Sequence, residues 1–224
     1  MKKDIRAYTY EELQEEMQSL GEKAFRAKQV YEWLHQKLKD RFDEMTNISK
    51  NLRNQLKEEY EILPVEMTER QESRLDGTKK FLFRLFDGNV VESVLMRYRH
   101  GNSVCISSQV GCRMGCRFCA STIGGLIRSL SPSEMLGQIY QIQKIIGNRI
   151  SNVVVMGTGE PLDNYDNLLQ FIRILTDEHG LHISQRNITV STCGIVPKMY
   201  DLAREHLQIT LALSLHGSNQ EKRK

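Results

Sequence analysis

Residues 104–119 read VCISSQVGCRMGCRFC and hold four of the five cysteines of the chain. The last three, Cys112, Cys116 and Cys119, form the pattern C-x3-C-x2-C, which brings three thiols onto one short loop. Three sulfur ligands leave one coordination position without a protein ligand, whereas a structural zinc site is closed by four protein ligands. Thiolates are also the soft ligands that iron–sulfur clusters prefer. The spacing therefore favours an iron–sulfur cluster, and a zinc loop or a run of buried structural cysteines is the alternative.

The composition is that of a soluble globular protein. The chain has 224 residues, of which 40% are hydrophobic and 26% charged, enough for one full domain or two small ones. Lys and Arg exceed Asp and Glu by 31 − 28 = 3, a mildly basic balance that permits an RNA partner without requiring one. No apolar run has the length of a membrane span, and the N-terminus lacks the apolar core of a signal peptide. Clustered cysteines without a secretion signal predict a cytoplasmic protein with no membrane partner.

The N-terminal part, residues 1–75, is predicted to be a small helical domain. Thr9 and Glu12 have the spacing of a capping box and open a first helix that ends near Gly21. Apolar residues then recur at helical spacing along one face of a second helix, and a third helix begins near Ser49. Basic side chains of this segment are suited to phosphate contacts, although a solvated face explains them equally well.

Residues 76–100 change to the alternating period of a β-strand. Two apolar stretches flank Asp87-Gly88-Asn89, a turn sequence that is typical of a β-hairpin. Glu92 lies inside the second stretch, and the alternation alone indicates that its carboxylate faces solvent.

From residue 101 onward, strands and helices alternate, which predicts a parallel sheet. Strands are predicted at 103–108, 152–156, 188–192 and 208–214, and Ser131-Pro132-Ser133-Glu134 has the residues of a helix start. Ligands of such sheets gather at the carboxyl ends of the strands. The cysteine loop and the segments 157–161, 191–194 and 214–216 all follow predicted strands, so we expect these four strand ends to converge on one site.

The residue types at these strand ends leave several roles open. The G-x-G pair at 157–159 allows a ligand to approach the backbone closely, but it is equally typical of a tight turn. Ser191 and Ser214 offer hydroxyl groups suited to a ribose or a carboxylate, and also suit helix caps or turns. His216 is suited to a polar core position, a ligand contact or proton transfer. Cys193 is interpreted as a small packing residue.

Taken together, these segments resemble the RlmN/Cfr family, the radical S-adenosylmethionine (SAM) enzymes that methylate adenine C2 in 23S rRNA and tRNA. The matching stretches are residues 25–34, the strand with Glu92, residues 105–119, 157–161, 191–194 and 214–216. Cys105, seven positions before the first cysteine of the C-x3-C-x2-C pattern, is the most discriminating of them. The resemblance implies an α/β fold: a partial radical SAM (β/α) barrel with parallel strands at 101–224, preceded by the helical domain and the hairpin.

The resemblance also implies the cofactors and their ligands. Cys112, Cys116 and Cys119 would hold a [4Fe–4S] cluster whose fourth iron binds the amino and carboxylate groups of SAM. The residues on the SAM-contacting positions of the family are Gly159, Glu160, Ser191, Ser214, Leu215 and His216.

Two further residues fall on catalytic positions of the family. Glu92 falls on the base that removes the C2 proton, against the solvent-facing interpretation from alternation. Cys105 falls on the residue that forms a disulfide with a methyl-carrying cysteine and so releases the methylated base. The implied partners are 23S rRNA and tRNA, bound with the helical domain as an RNA-binding accessory domain, and an electron donor such as flavodoxin or ferredoxin. The implied enzyme is a monomer.

Three alternatives accompany this interpretation. Pro161 after Glu160 favours the C2-methylating branch, and the C8-methylating resistance enzymes of the same family are the first alternative. The family pattern continues beyond residue 224 to the methyl-carrying cysteine, so we expect a fragment or truncated copy that does not complete turnover. A non-catalytic remnant that binds a cluster or RNA is therefore the second alternative, and a zinc-bound RNA-binding module is the third.

The cluster prediction is tested by anaerobic purification and reconstitution with iron and sulfide. We expect a brown protein with about four irons per chain and a visible spectrum that changes when SAM is added. A colourless protein that holds stoichiometric zinc would instead show that the cysteine loop is structural, and the methyltransferase interpretation would have to be withdrawn.

Overall fold

The computed structural model describes residues 2–99, 101–217, 219 and 221. Its N-terminal part consists of β1 (Lys3–Asp4), α1 (Tyr10–Ser19), α2 (Phe25–His35), α3 (Lys50–Glu59) and β2 (Tyr60–Glu61). The predicted capping box is confirmed, because the Thr9 hydroxyl accepts from the Glu12 N–H while the Glu12 carboxylate accepts from the Thr9 N–H. The Ser49 hydroxyl caps α3 in the same way, through the Leu52 N–H. The three predicted helices are therefore present.

An antiparallel unit follows, made of β3 (Glu66–Glu72), β4 (Lys79–Arg84) and β5 (Val90–Tyr98). The predicted hairpin is confirmed, since β4 and β5 pair antiparallel around the turn at 87–89. Strand β3 was not predicted. Its sequence, EMTERQE, has no apolar alternation and all its residues are exposed. It is a strand because it pairs with β4, through backbone hydrogen bonds and through the cross-strand ion pairs Glu66–Arg84 and Glu72–Lys79. The boundary at residue 75 stays a prediction.

The rest of the chain alternates strands with helices, as predicted. In chain order the elements are β6 (Gly101–Ile106), β7 (Gln109–Gly111), β8 (Leu126–Ser129), α4 (Pro132–Ile146), β9 (Ile150–Val155), α5 (Tyr165–Thr176), β10 (Ile188–Thr192), α6 (Val196–Arg204) and β11 (Thr210–Leu213). The sheet has seven strands in the order β11-β10-β9-β6-β5-β4-β3, and its first four are parallel. None of the helices in the described ranges is long and apolar enough to cross a membrane.

The two faces of this sheet have different surroundings. Leu95, Val104 and Val153 are fully buried on the face against which the helices pack. Their neighbours in sequence point to the opposite face, where Val94, Cys105 and Val154 lie side by side in register and only partly buried. Cys105 thus lies on the face that the described helices leave open.

The N-terminal helices contact the rest of the chain through a buried polar network. His35 at the end of α2 lies with its Nδ1 2.8 Å from the hydroxyl oxygen of Tyr140 in α4. Arg6 is buried beside them and donates to the Asp40 carboxylate at 2.7 Å, and Asp40 also pairs with Lys144. Because buried polar groups are costly without partners, these contacts fix the position of α2 on α4.

This network predicts that stability depends on pH through His35. Burial, together with the nearby positive charge of Arg6, holds the pKa of His35 well below its usual value. The unfolded chain binds a proton near pH 6.5, whereas the native state does not. Stability is therefore complete above pH 6.5 and falls below it, by up to about 1.4 kcal/mol per pH unit.

We expect His35→Asn, whose side chain can still bond Tyr140, to remove this part of the pH dependence in urea unfolding at pH 8.0, 6.5 and 5.5. His206→Asn is the matched control, since His206 is exposed and its positive φ suits asparagine. An identical slope in wild type and His35→Asn would contradict the prediction.

Candidate cofactor site

The cysteine loop is closed at its base by the antiparallel pairing of β7 with β8. The Cys112 N–H donates to the Gly125 carbonyl at 3.1 Å. Inside the loop the Thr122 hydroxyl donates to the carbonyls of Cys116 at 3.1 Å and Cys119 at 2.8 Å. These bonds fix the backbone from which the three thiols project.

A cavity of about 250 Å³ opens at the carboxyl ends of the parallel strands. The predicted residues that line it are Cys112, Cys116, Cys119, Gly159, Glu160, Ser191, Ser214 and His216. Leu215 is exposed and does not line it, and neither Glu92 nor Cys105 does. The expected convergence of four strand ends is therefore found.

The donor set of this cavity is rich in sulfur. All five cysteines are free thiols, and burial raises the pKa of Cys112, as do the charges of Cys116 and Cys119. Across the described residues, no three His, Cys, Asp or Glu side chains converge closely enough to hold a single metal ion. In a polynuclear cluster each thiolate binds a different iron, so its ligands need not meet at one point. Three thiols on one loop are the soft ligands that such a cluster prefers, so the donor set fits a cluster.

Glu160 is held in place by backbone groups. Its side chain is almost completely buried, with 4% of the residue exposed. One carboxylate oxygen accepts from the Leu162 N–H at 3.1 Å and the other from the Cys193 N–H at 2.8 Å. Burial, and a hydrogen bond from the thiol to Glu160, raise the pKa of Cys193 to about 12. Cys193 also lines the cavity, and its interpretation as a small packing residue stays a prediction.

The two glycines of the G-x-G pair are required by the protein's own packing. Gly159 has φ +105°, and a Cβ on it would lie 2.6 Å from the Cβ of Gln109. A Cβ on Gly157 would lie 2.7 Å from the Ser107 hydroxyl oxygen. The sequence interpretation offered ligand approach or a tight turn, and the contacts show a third reason: this loop packs directly on the chain that leaves β6.

The opposite wall of the cavity carries two hydroxyl groups and an aromatic pair. The hydroxyl oxygens of Ser191 and Ser214 are 2.8 Å apart, which joins the ends of β10 and β11. The His216 ring packs edge-on against Phe118 of the cysteine loop, with ring centroids 4.7 Å apart. The cysteine loop and the last described strand end therefore touch across the cavity.

Glu92 and Cys105 lie together on the open face of the sheet. The Glu92 carboxylate is 3.2 Å from the Lys80 ammonium group, and its side chain is 44% exposed. Burial raises the pKa of Cys105, and the negative charge of Glu92 raises it further. The solvent-facing interpretation of Glu92 is thus compatible with a place beside Cys105, because the face that carries both is partly open.

Sequence reasoning did not single out three polar residues beside the cavity. The Gln109 amide and the Arg113 guanidinium both donate to the Asp163 carboxylate. Gln109 and Arg113 lie inside the cysteine stretch 104–119, and Asp163 comes two positions after the 157–161 segment. The position of these three residues close to the recognised motifs could have drawn attention to them. Their residue types alone did not indicate that they would form hydrogen bonds with each other.

Four parallel strands with a three-cysteine loop after the first define the radical SAM class of fold. Residues 106–224, more than half of the chain, match the sequence model of the Radical SAM superfamily. Residues 3–62 match the model described as "Ribosomal RNA large subunit methyltransferase N-terminal domain".

Proteins that are similar along nearly the whole of this chain indicate a family within this superfamily. A protein of Lachnoclostridium phytofermentans named "Probable dual-specificity RNA methyltransferase RlmN" is 66% identical over 98% of this chain. A protein of the same name from Lachnospira eligens is 66% identical over 99% of the chain. This chain spans 62% and 63% of the length of these two relatives.

A solved structure confirms the fold. The crystal structure of a radical SAM methyltransferase from Sphaerobacter thermophilus superposes with a TM-score of 0.91 at 39% sequence identity, covering 99% of this chain and 66% of that one. The chain therefore belongs to the radical SAM superfamily and, within it, to the RlmN family. The predicted family and the predicted partial barrel are confirmed.

The packing of the G-x-G loop predicts that Gly159→Ala destabilises the protein more than a positive φ alone would. A non-glycine residue in a strained backbone region costs about 1–3 kcal/mol, and at Gly159 the contact with Gln109 adds to that cost. Gly77→Ala is the matched control, because Gly77 has φ +70° and nothing within 4 Å of an added Cβ. We expect urea unfolding to show the larger loss for Gly159→Ala, and equal losses would contradict the packing argument.

Proposed function

We propose that this chain forms the cofactor-binding and RNA-binding part of a methyltransferase that transfers a methyl group to C2 of an adenosine in 23S rRNA and tRNA. The observation that carries the proposal is the convergence of three loop thiols, Glu160 and a pair of serine hydroxyls on one cavity. The two relatives are both named "Probable dual-specificity RNA methyltransferase RlmN", and this name supports the proposal.

Two cofactors follow from this proposal. Cys112, Cys116 and Cys119 would hold a [4Fe–4S] cluster, and three thiolates would leave one coordination position of the cluster free for SAM. When bound, the cluster supplies an electron, and SAM supplies the carbon radical that this electron generates. Such chemistry suits adenine C2, whose C–H bond is neither acidic nor nucleophilic.

The residues of the cavity bind and orient SAM. The Glu160 carboxylate is held by two backbone N–H groups and borders the cavity, which suits it to accept hydrogen bonds from the SAM ammonium group. The hydroxyls of Ser191 and Ser214 suit the ribose or the carboxylate of SAM. Gly159 and His216, which line the cavity, complete these contacts, and Leu215 is proposed to contact SAM from its exposed position between Ser214 and His216.

Glu92 and Cys105 act on the RNA and not on the cofactors. Glu92 accepts the C2 proton, and its partly exposed position leaves its carboxylate accessible to an adenine of the RNA. The family pattern places the methyl-carrying cysteine beyond residue 224. The Cys105 thiolate attacks the sulfur of that cysteine. As the S–S bond forms, the bond from that sulfur to the transferred carbon breaks, and this carbon keeps the electron pair and takes up a proton to become the methyl group of the product. Both lie on the open face of the sheet, with Cys105 opposite Val94 and Glu92 two residues before Val94 on the same strand, and this placement supports a shared role.

The partners follow from the same reaction. The helical domain would bind ribosomal and transfer RNA, and a one-electron donor such as flavodoxin or ferredoxin would reduce the cluster. A cytoplasmic monomer fits these partners, because the RNA substrates and the reducing environment for free thiols are found there.

The role of Cys105 is tested in a protein of the full length of the relatives. We expect Cys105→Ala to accumulate a covalent RNA–protein adduct, seen as a shifted band on a denaturing gel, because the adduct still forms but is not released. Omission of SAM is the control and should abolish the band. Turnover to free methylated RNA by Cys105→Ala would contradict the assignment.

A further inference from the structure

A chain of hydrogen bonds connects the cysteine loop with the loop that carries Glu160. Arg113, which follows Cys112, donates through Nε to Asp163 Oδ1 at 3.2 Å and also through Nη2 to the same oxygen. The other oxygen, Asp163 Oδ2, accepts from Gln109 Nε2 at 3.0 Å. The carbonyl oxygen of the Gln109 amide in turn accepts from the Glu160 N–H at 2.9 Å. Three side chains thus join the two loops.

Burial and the charge of Asp163 fix which group donates and which accepts in each of these hydrogen bonds. Gln109 is completely buried and the Asp163 side chain is 8% exposed, whereas Arg113 reaches the surface. Burial would raise the pKa of Asp163, but the bonds from Arg113 and Gln109 hold it below the usual value. A charged Asp163 accepts only, so the Gln109 amide must turn its NH2 group toward Asp163 and its oxygen toward Glu160.

Packing leaves Gln109 no second position. The backbone N–H of Gln109 donates to the Thr158 carbonyl at 3.1 Å. The Cα of Gly159 lies against its side chain so closely that an added Cβ would be 2.8 Å from the Gln109 Cγ. Gln109 is therefore a rigid spacer between the two loops.

We propose that Gln109 and Asp163 are positioning residues that hold the cysteine loop and the Glu160 loop in the relative placement that SAM binding requires. The inference rests on the proposed function, in which SAM bridges the cluster iron and the Glu160 side of the cavity. A ligand held from two loops is sensitive to small shifts between them. Partners of ligand-holding groups typically change affinity by about 10–100-fold when altered.

The test uses anaerobically reconstituted protein and the variant Asp163→Asn. The new amide can still accept from Arg113, but its NH2 group then faces the NH2 group of Gln109. If Gln109 rotates to avoid this, it presents a donor to the Glu160 N–H. We expect the Kd for SAM to rise about tenfold or more, and the SAM-induced change in the EPR spectrum of the reduced cluster to diminish, at unchanged iron and sulfide content.

Asp166→Asn is the matched control. It makes the same chemical change three positions away, at an exposed residue that has no hydrogen bond or ion pair among the described side chains. We expect wild-type SAM affinity and a wild-type EPR response from this variant.

A double variant tests the direction of the bonds. Gln109→Glu alone brings two carboxylates together and should weaken SAM binding as Asp163→Asn does. In Gln109→Glu with Asp163→Asn, the new Asn donates to the new Glu, which still accepts from the Glu160 N–H. We expect the double variant to bind SAM within about threefold of the wild type, a recovery typical of directly coupled residues.

Wild-type affinity and EPR response in Asp163→Asn would overturn the proposal, and so would a double variant as weak as the single ones. Loss of iron from Asp163→Asn would show that the contact only maintains the fold of the cysteine loop, which also overturns it. A wild-type protein that takes up no cluster or does not bind SAM would instead contradict the proposed function itself.

Discussion

The parallel pairing of β6 with β9 is the constraint on which the site depends. Ile106 and Val155 end the two strands in register, and the backbone continues to pair beyond them. The Gly157 N–H donates to the Ile106 carbonyl at 2.9 Å, and the N–H groups of Ser108 and Gln109 both donate to the Thr158 carbonyl. The chain that leads to the cysteine loop and the chain that leads to Glu160 therefore leave the sheet side by side. The close approach explains why glycine is needed at 157 and 159.

Chemistry and packing are divided between the two faces of the sheet. The helix-covered face carries fully buried apolar side chains such as Val104 and Val153, whose burial contributes about 1.5–3 kcal/mol each. The open face carries Cys105 and Glu92, which a tightly packed core would exclude or neutralise. A radical enzyme of the proposed kind needs thiols and a carboxylate near bound RNA, and a strand that alternates between two environments provides both on one backbone.

The helical domain is joined to the sheet by polar contacts, not by apolar ones alone. His35, Tyr140 and Arg6 are buried at this junction. The His35–Tyr140 contact and the Asp40–Lys144 ion pair form only when the two parts are in place, and Arg6 holds Asp40 there. An apolar junction would tolerate sliding, whereas hydrogen bonds fix one arrangement. If the helical domain binds RNA as proposed, this junction would present the RNA to the cavity in one orientation.

Local signals in the sequence determined the helix starts at Thr9 and Ser131, the β-hairpin at 87–89 and the three-thiol loop, because capping, turn and cysteine spacing act over a few residues. Strand β3 was not predicted, because its polar residues have no strand-like alternation and form a strand only by pairing with β4. The bonds of Gln109 with Asp163 and Glu160 span more than 50 residues. Only the tertiary structure decided them, because a hydrogen bond between distant residues depends on where the sheet places each strand end.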